Sequence, residues 1–344
     1  MTPAKIEIRN LSKVFGPDPR SVLPLVHDGI GKRKLLDEHR HVLALRHVDL
    51  GVAPRRVQVV MGLSGSGKST LVRHVNGLIR PTEGAVRIDG REVAAMDRHA
   101  LRELRRHAVA MVFQRFALLP HRTVLENVGY GMAIQGMGKS EWLGRAEEWI
   151  AKVGLAGFEN AYPAQLSGGM EQRVGLARAL STDVEILLMD EPFSALDPLN
   201  RADMQNLLLD LQSDLKKTIV FITHDLDEAL KIGDRVAILR DGEIVQDGTP
   251  QDIVLSPADA YVEDFIKDID RGRVVRVGAI VDRRGARKTA ADGPALPAHM
   301  VLAEGARRLV DRGFAEARVV GPDGDTLGTL TLAEIVAAMG KPGD

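Results

Sequence analysis

Cysteine is absent from the 344-residue chain, which excludes disulfides and thiolate metal sites. A dominant charge is absent too. Lysine and arginine total 46 against 47 acids, a net charge of -1, so no overall basic field points to nucleic acid as a partner. No apolar run approaches the roughly 18 residues that a membrane span needs. The opening MTPAKIEIRN is charged and lacks the apolar core of a signal peptide. Sustained heptads are missing, which removes long coiled coils. Together these absences predict a cytoplasmic chain that works at a membrane only through a partner.

What is present is ordinary globular material, 44% hydrophobic and 27% charged, in a chain long enough for two domains. Residues 5–8 alternate as a strand. Residues 16–41, rich in Pro, Gly and charge, read as an irregular insertion between two strands. VLALRHVDLGV and VQVVMG are strands, and the second runs straight into GLSGSGKST. A helix is predicted over 68–78, and HAVAMVFQ is a strand ending at Gln114.

Residues 115–165 turn helical. Thr123 and Glu126 form a capping box, and Ser140 is a candidate cap for a second helix. There Trp142, Ala146, Trp149 and Val153 recur at helical spacing, as core positions do. VEILLMDE and KTIVFITHD are apolar strands of the kind buried in parallel sheets. Between them lies a helix with Asp197 at its N-cap and Pro198 in its first turn. RVAILRDGEIVQDG is a hairpin turning at Asp241 and Gly242. From about Arg271 the composition shifts. Arg271, Arg273, Arg276, Arg283, Arg284, Arg287 and Lys288 crowd a linker, 271–297, that either faces anionic lipid headgroups or is a solvated charged face. The rest, 298–344, is a small helix–strand–strand–helix pattern whose last helix is boxed by Thr331 and Glu334.

Residues 62–69 match G-x-x-x-x-G-K-[ST] between a strand and a helix. Its glycines let backbone N–H groups curl around phosphate oxygens, and the helix N-terminus adds its dipole. Lys68 is placed to reach the β- and γ-phosphates and Ser69 to ligate Mg²⁺. The predicted nucleotide set from this loop is Gly62, Ser64, Gly65, Ser66, Gly67, Lys68, Ser69 and Thr70. Asp190 ends a buried strand and can hold Mg²⁺ through water. Glu191 follows directly and can polarise the attacking water. Gln114 and His224 also sit at carboxyl ends of strands, where open α/β sheets bind ligands. Gln114 can touch Mg²⁺ or the lytic water, and His224 can contact the γ-phosphate.

LSGG followed by VGLARAL is a second loop leading into a helix N-terminus, another anion site. One nucleotide does not need two such sites on one side. The economical reading gives Ser167, Gly168 and Gly169 to an ATP held by a second copy. The plainer reading is a glycine-rich helix cap.

These motifs, with SALD at 194–197, occur in an order and spacing that resemble the ATPase subunit of an ABC transporter over roughly residues 4–270. The resemblance implies an α/β P-loop ATPase with a RecA-like core, an antiparallel β-subdomain, and a helical subdomain at about 115–165 that docks a permease loop. It implies a head-to-tail dimer sandwiching two ATP. Glu191, His224 and Gln114 would be catalytic, and Ser69, Gln114 and Asp190 would hold Mg²⁺. Phe15 would stack on adenine, and Gln172 and Asp197 would join the nucleotide set. Met170 and Glu171 stand where the family more usually has Gln; Gln172 comes a step later.

More narrowly, the early insertion, MVFQRFALLPHRTVLENV, LSGGMEQRVGLARAL and HDLDEALKIGDRVAIL resemble the ATPases that energise import of glycine betaine, proline betaine and related quaternary ammonium compounds, choline among them. Those work with a membrane permease and an extracytoplasmic solute-binding protein, which implies a place on the inner face of the cell membrane. The alternatives are an importer of an amino acid or polyamine, or a soluble ABC protein. The insertion and tail argue against the first, and the single cassette argues against the second. Residues 298–340 resemble one CBS motif, so either two tails pair in a dimer or the tail is a plain cap.

Overall fold

The computed structural model describes residues 3–114, 117–284 and 293–340. Two units divide the chain, Met1–Val245 and Gln246–Asp344. The division falls earlier than the composition shift at Arg271 that the sequence reading used.

The first unit holds two sheets. One is antiparallel, in the order β2 (Val42–Val52), β1 (Ile6–Phe15), β4 (Glu83–Ile88), β5 (Arg91–Glu92). The other has the order β10 (Glu243–Gly248), β9 (Arg235–Arg240), β3 (Val57–Met61), β8 (Thr218–Thr223), β7 (Ile186–Asp190), β6 (Val109–Val112). From β9 to β6 every pairing is parallel. Every residue of β3, β7 and β8 is buried, as a parallel sheet covered on both faces requires. Asp241 and Gly242 both take positive φ between β9 and β10, the backbone of a two-residue hairpin turn.

Register places the chemistry. Met61 stands beside Thr223, Asp190 beside Ile222, and Val112 beside Met189. The phosphate loop, Glu191, His224 and Gln114 therefore all leave from one carboxyl edge, where an open α/β sheet binds its ligand.

Five local expectations need correction. Residues 16–41 are not irregular: they fold into helices Leu23–His27 and Lys32–His39. These close on a small core of Val14, Val22, Val26, Leu35 and Leu43. The helix after the phosphate loop stops at Val75, and β6 stops at Val112, short of Gln114. The capping box of Thr123 and Glu126 forms, but Ser140 caps nothing. Its helix, Lys139–Lys152, starts directly after Gly138, whose extended backbone makes the turn. Ala146, Trp149 and Val153 are buried there, and Trp142 is partly so.

The second unit carries the fifth correction. Part of the expected linker is helical, at Arg271–Val274 and Val277–Arg284. Val277, Ile280 and Val281 fall at helical spacing between the arginines and are buried, a pattern that a count of charges hides. Arg287 and Lys288 lie outside the described residues. Helices Pro250–Leu255 and Ala260–Ile266 belong to the same unit. Its sheet runs β11 (Ala295–Pro297), β12 (Glu316–Val320), β13 (Thr326–Thr331). β11 and β12 are parallel and joined through helix Leu302–Arg312; helix Leu332–Met339 follows β13, boxed by Thr331 and Glu334.

One buried base gives the first unit a pH dependence. His74 is 1% exposed, and its Nδ1 donates to the Thr70 carbonyl at 2.7 Å. Burial pushes its imidazole down from 6.5 to about 4. The unfolded chain then binds more protons than the native one between those values, so stability falls as pH drops through that window. The loss is at most roughly 3 kcal/mol. Burial raises Asp190 and Glu228, which act with the opposite sign, so the test is a difference. Relative to His74→Gln, the native chain should lose stability in urea unfolding from pH 6.5 to 4, with no further divergence above pH 7.

Candidate nucleotide site

A cavity of about 660 Å³ opens in the first unit, lined in part by the phosphate loop. All three loop glycines take positive φ, and at two of them a side chain would also clash with backbone. Gly62 has φ +154° and a Cβ there would stand 2.1 Å from the Leu239 carbonyl oxygen. Gly67 has φ +112° and its Cβ would stand 2.6 Å from the Ala44 carbonyl oxygen. Ser64, Gly65, Gly67, Lys68, Ser69 and Thr70 line the cavity, whereas Gly62 and Ser66 do not.

Lys68 is 4% exposed and donates to the Gly62 and Leu63 carbonyls at 2.7 and 3.0 Å. Burial lowers its ammonium pKa, partly opposed by Glu191, whose Oε1 lies 3.7 Å away. Ser69 Oγ donates to Asp190 Oδ1 at 2.7 Å. Asp190 is itself buried, and burial raises its carboxyl against the pull of Ser69 and Arg73.

Glu191 is the meeting point. It carries φ +47°, in the left-handed region, and its N–H is held by the Ile222 carbonyl at 3.0 Å. Its Oε2 lies 3.2 Å from His224 Nδ1 and 3.5 Å from Gln114 Nε2. Gln114 also reaches Ser194 Oγ at 3.5 Å. At the other end of the cavity Phe15 closes β1, 40% exposed, with Lys13 Nζ 4.8 Å from its ring centroid.

The remaining predicted residues lie outside this cavity. Ser167 caps helix Gly168–Leu180 by accepting the Met170 N–H at 3.4 Å, and Ser167 and Gly168 are exposed. Asp197 caps helix Pro198–Leu215, and the Asn200 amide at 2.6 Å holds its carboxyl below the usual range. Gln172 is buried and donates its amide to the Pro192 carbonyl, a bond that ties the Gly168–Leu180 helix to the segment after Glu191.

Comparison with known proteins agrees with this geometry. The family model for ABC transporters matches residues 45–194. The glycine betaine transport ATP-binding protein OpuAA of Bacillus subtilis is 52% identical over 82% of this chain and 67% of its own length. The glycine betaine/carnitine transport ATP-binding protein GbuA of Listeria monocytogenes is 46% identical over 96% of this chain and 82% of its own. The dimeric, post-hydrolysis ATP-binding cassette MJ0796 bound to ADP and phosphate superposes with a TM-score of 0.61. It is 33% identical, over 71% of this chain and 98% of that one.

The chain belongs to the ABC transporter ATP-binding proteins.

As an ABC transporter ATPase it binds ATP and hydrolyses it to drive transport. Its donor set near Ser69 also fits a hard cation. A hydroxyl, a carboxylate and an amide oxygen are the ligands Mg²⁺ takes beside substrate phosphates. Among the described residues no cluster of three or more His, Cys, Asp or Glu could hold a metal unaided. The sequence reading missed six cavity residues: Lys32, Arg33 and Leu36 from the insertion, and Val42, Leu43 and Ala44 from the start of β2. The insertion, 16–41, leaves β1 after the predicted adenine-stacking residue Phe15, which pairs with Val42 at the start of β2.

Proposed function

We propose that this ATPase energises import of glycine betaine or a related quaternary ammonium compound through a membrane permease. The convergence of Lys68, Gln114 and His224 on Glu191 carries the ATPase half of the reading. The naming of its relatives supports the solute.

In this reading Phe15 stacks on adenine and the loop N–H groups cradle the phosphates. Lys68 exchanges its carbonyl partners for the β- and γ-phosphates. Ser69, Asp190 and Gln114 would hold Mg²⁺, which would supply charge neutralisation for the transferring phosphoryl group. Glu191 accepts a proton from the attacking water, and His224 fixes the Glu191 carboxylate from its exposed side. Ser167, Gly168 and Gly169 serve the γ-phosphate of an ATP bound by a second copy; lying outside their own cavity, with Ser167 and Gly168 exposed, suits them to that. ATP binding closes the dimer, and hydrolysis with product release reopens it.

A groove of about 330 Å³, lined by Phe113, Leu119, Tyr130, Ile134 and Arg178, is where a permease loop would dock. Among the described residues no helix is long and apolar enough to cross a membrane, which suits a peripheral subunit on the inner face. Residues 298–340 are read as one CBS-like motif that pairs with the tail of the second copy.

Purification of the tagged chain from host membranes in mild detergent tests the transporter reading. A multi-span permease and a binding protein that takes up glycine betaine, proline betaine or choline should come with it. Recovery with ribosomes, DNA or nothing would reject the reading.

A further inference from the structure

The insertion contributes to the nucleotide cavity directly. Leu35 anchors helix Lys32–His39 on the insertion's core, while Lys32 and Leu36, one turn apart on another face, line the cavity. Lys32 Nζ lies 3.4 Å from the Gly65 carbonyl, its one hydrogen bond among the described residues. Burial depresses its ammonium pKa, with Asp241 and Glu243 opposing this and Arg46 adding to it. Leu36 is 49% exposed, a large apolar side chain left half in water beside a binding cavity. Arg33 is occupied differently, with Asp37 at 3.6 Å.

We propose that this helix is a second wall of the ATP site, with Lys32 contacting the α- and β-phosphates and Leu36 covering the adenosine end. Gly65 belongs to the loop whose N–H groups cradle those two phosphates, so a cation resting on Gly65 meets them first. Lys68 keeps the γ-phosphate end. One helical turn, about 5.4 Å, carries the same face from Lys32 to Leu36. The proposal rests on the ATPase reading and adds a binding role for a segment that the phosphate loop alone does not need.

Displacement of N-methylanthraniloyl-ADP from the full chain by ATP, ADP and AMP tests it. Lys32→Gln should weaken ATP and ADP by the same factor, about tenfold for one charge-assisted contact, and AMP by less. The salt dependence of ADP binding should become shallower, and Lys32→Arg should restore both. Leu36→Ala should weaken all three nucleotides equally. If Lys32→Gln binds ADP within twofold of the native chain with the same salt slope, the Lys32 contact is wrong. A uniform loss with a lowered Tm, unrescued by arginine, would make Lys32 structural and overturn the proposal. If the native chain itself binds no adenine nucleotide, the ATPase reading falls first.

Discussion

Glu191→Gln is expected to bind ATP at least as tightly as the native chain and to hydrolyse it at least about a hundredfold more slowly. The substitution keeps shape and removes only the charge that can take a proton from water. Its effect on binding runs the other way. Glu191 lies 3.7 Å from Lys68, and a carboxylate there repels an incoming γ-phosphate and competes for the same ammonium. An amide does neither. With turnover blocked and affinity kept, the closed dimer has no route open, so ATP should drive the variant into stable dimers seen by light scattering. Native-rate hydrolysis by Glu191→Gln would remove Glu191 from the role of base. His224→Ala should cost less, because His224 reaches the water only through Glu191.

The second large effect concerns Ser167. Ser167→Arg should leave ATP binding to the single chain near native, because Ser167 lies outside its own cavity. Hydrolysis should nonetheless fall to background. Loss of the cap costs only about 1 kcal/mol, too little to unfold the chain, and the retained ATP binding checks this. Lys68→Ala fails for the opposite reason, losing nucleotide at its own loop. Mixing the two inactive variants should restore activity. A mixed dimer has one site with both lesions and one with neither, so random pairing returns at most roughly a quarter of the native rate. If the mixture stays dead while each variant is folded, the Ser167–Gly169 loop does not act across a dimer.

The sequence was most readable where chemistry demands a fixed residue type at a fixed spacing. The phosphate loop, the Asp190–Glu191 pair, and Gln114 and His224 just beyond the carboxyl ends of their strands are of this kind. A parallel sheet turns such positions into neighbours, since Asp190 beside Ile222 brings Glu191 to His224 without any local signal joining them. Reading failed where elements are short or stability is shared. Helix Leu23–His27 is too brief to show a period, and the apolar positions of Val277–Arg284 are masked by the surrounding arginines. Lys32 and Leu36 carry no motif. They meet the site only because β1 and β2 pair and fold the insertion back over the phosphate loop.

Glu191 holds a backbone conformation that glutamate disfavours, at φ +47°. An ordinary side chain there costs about 1 kcal/mol or more, and glycine would relieve it. Folding and turnover therefore pull in opposite directions at this position. A chain improved for stability alone would give up the acid, keep every phosphate contact, and still clamp onto ATP. Such a protein would be hardier than the native one and would hold its transporter shut.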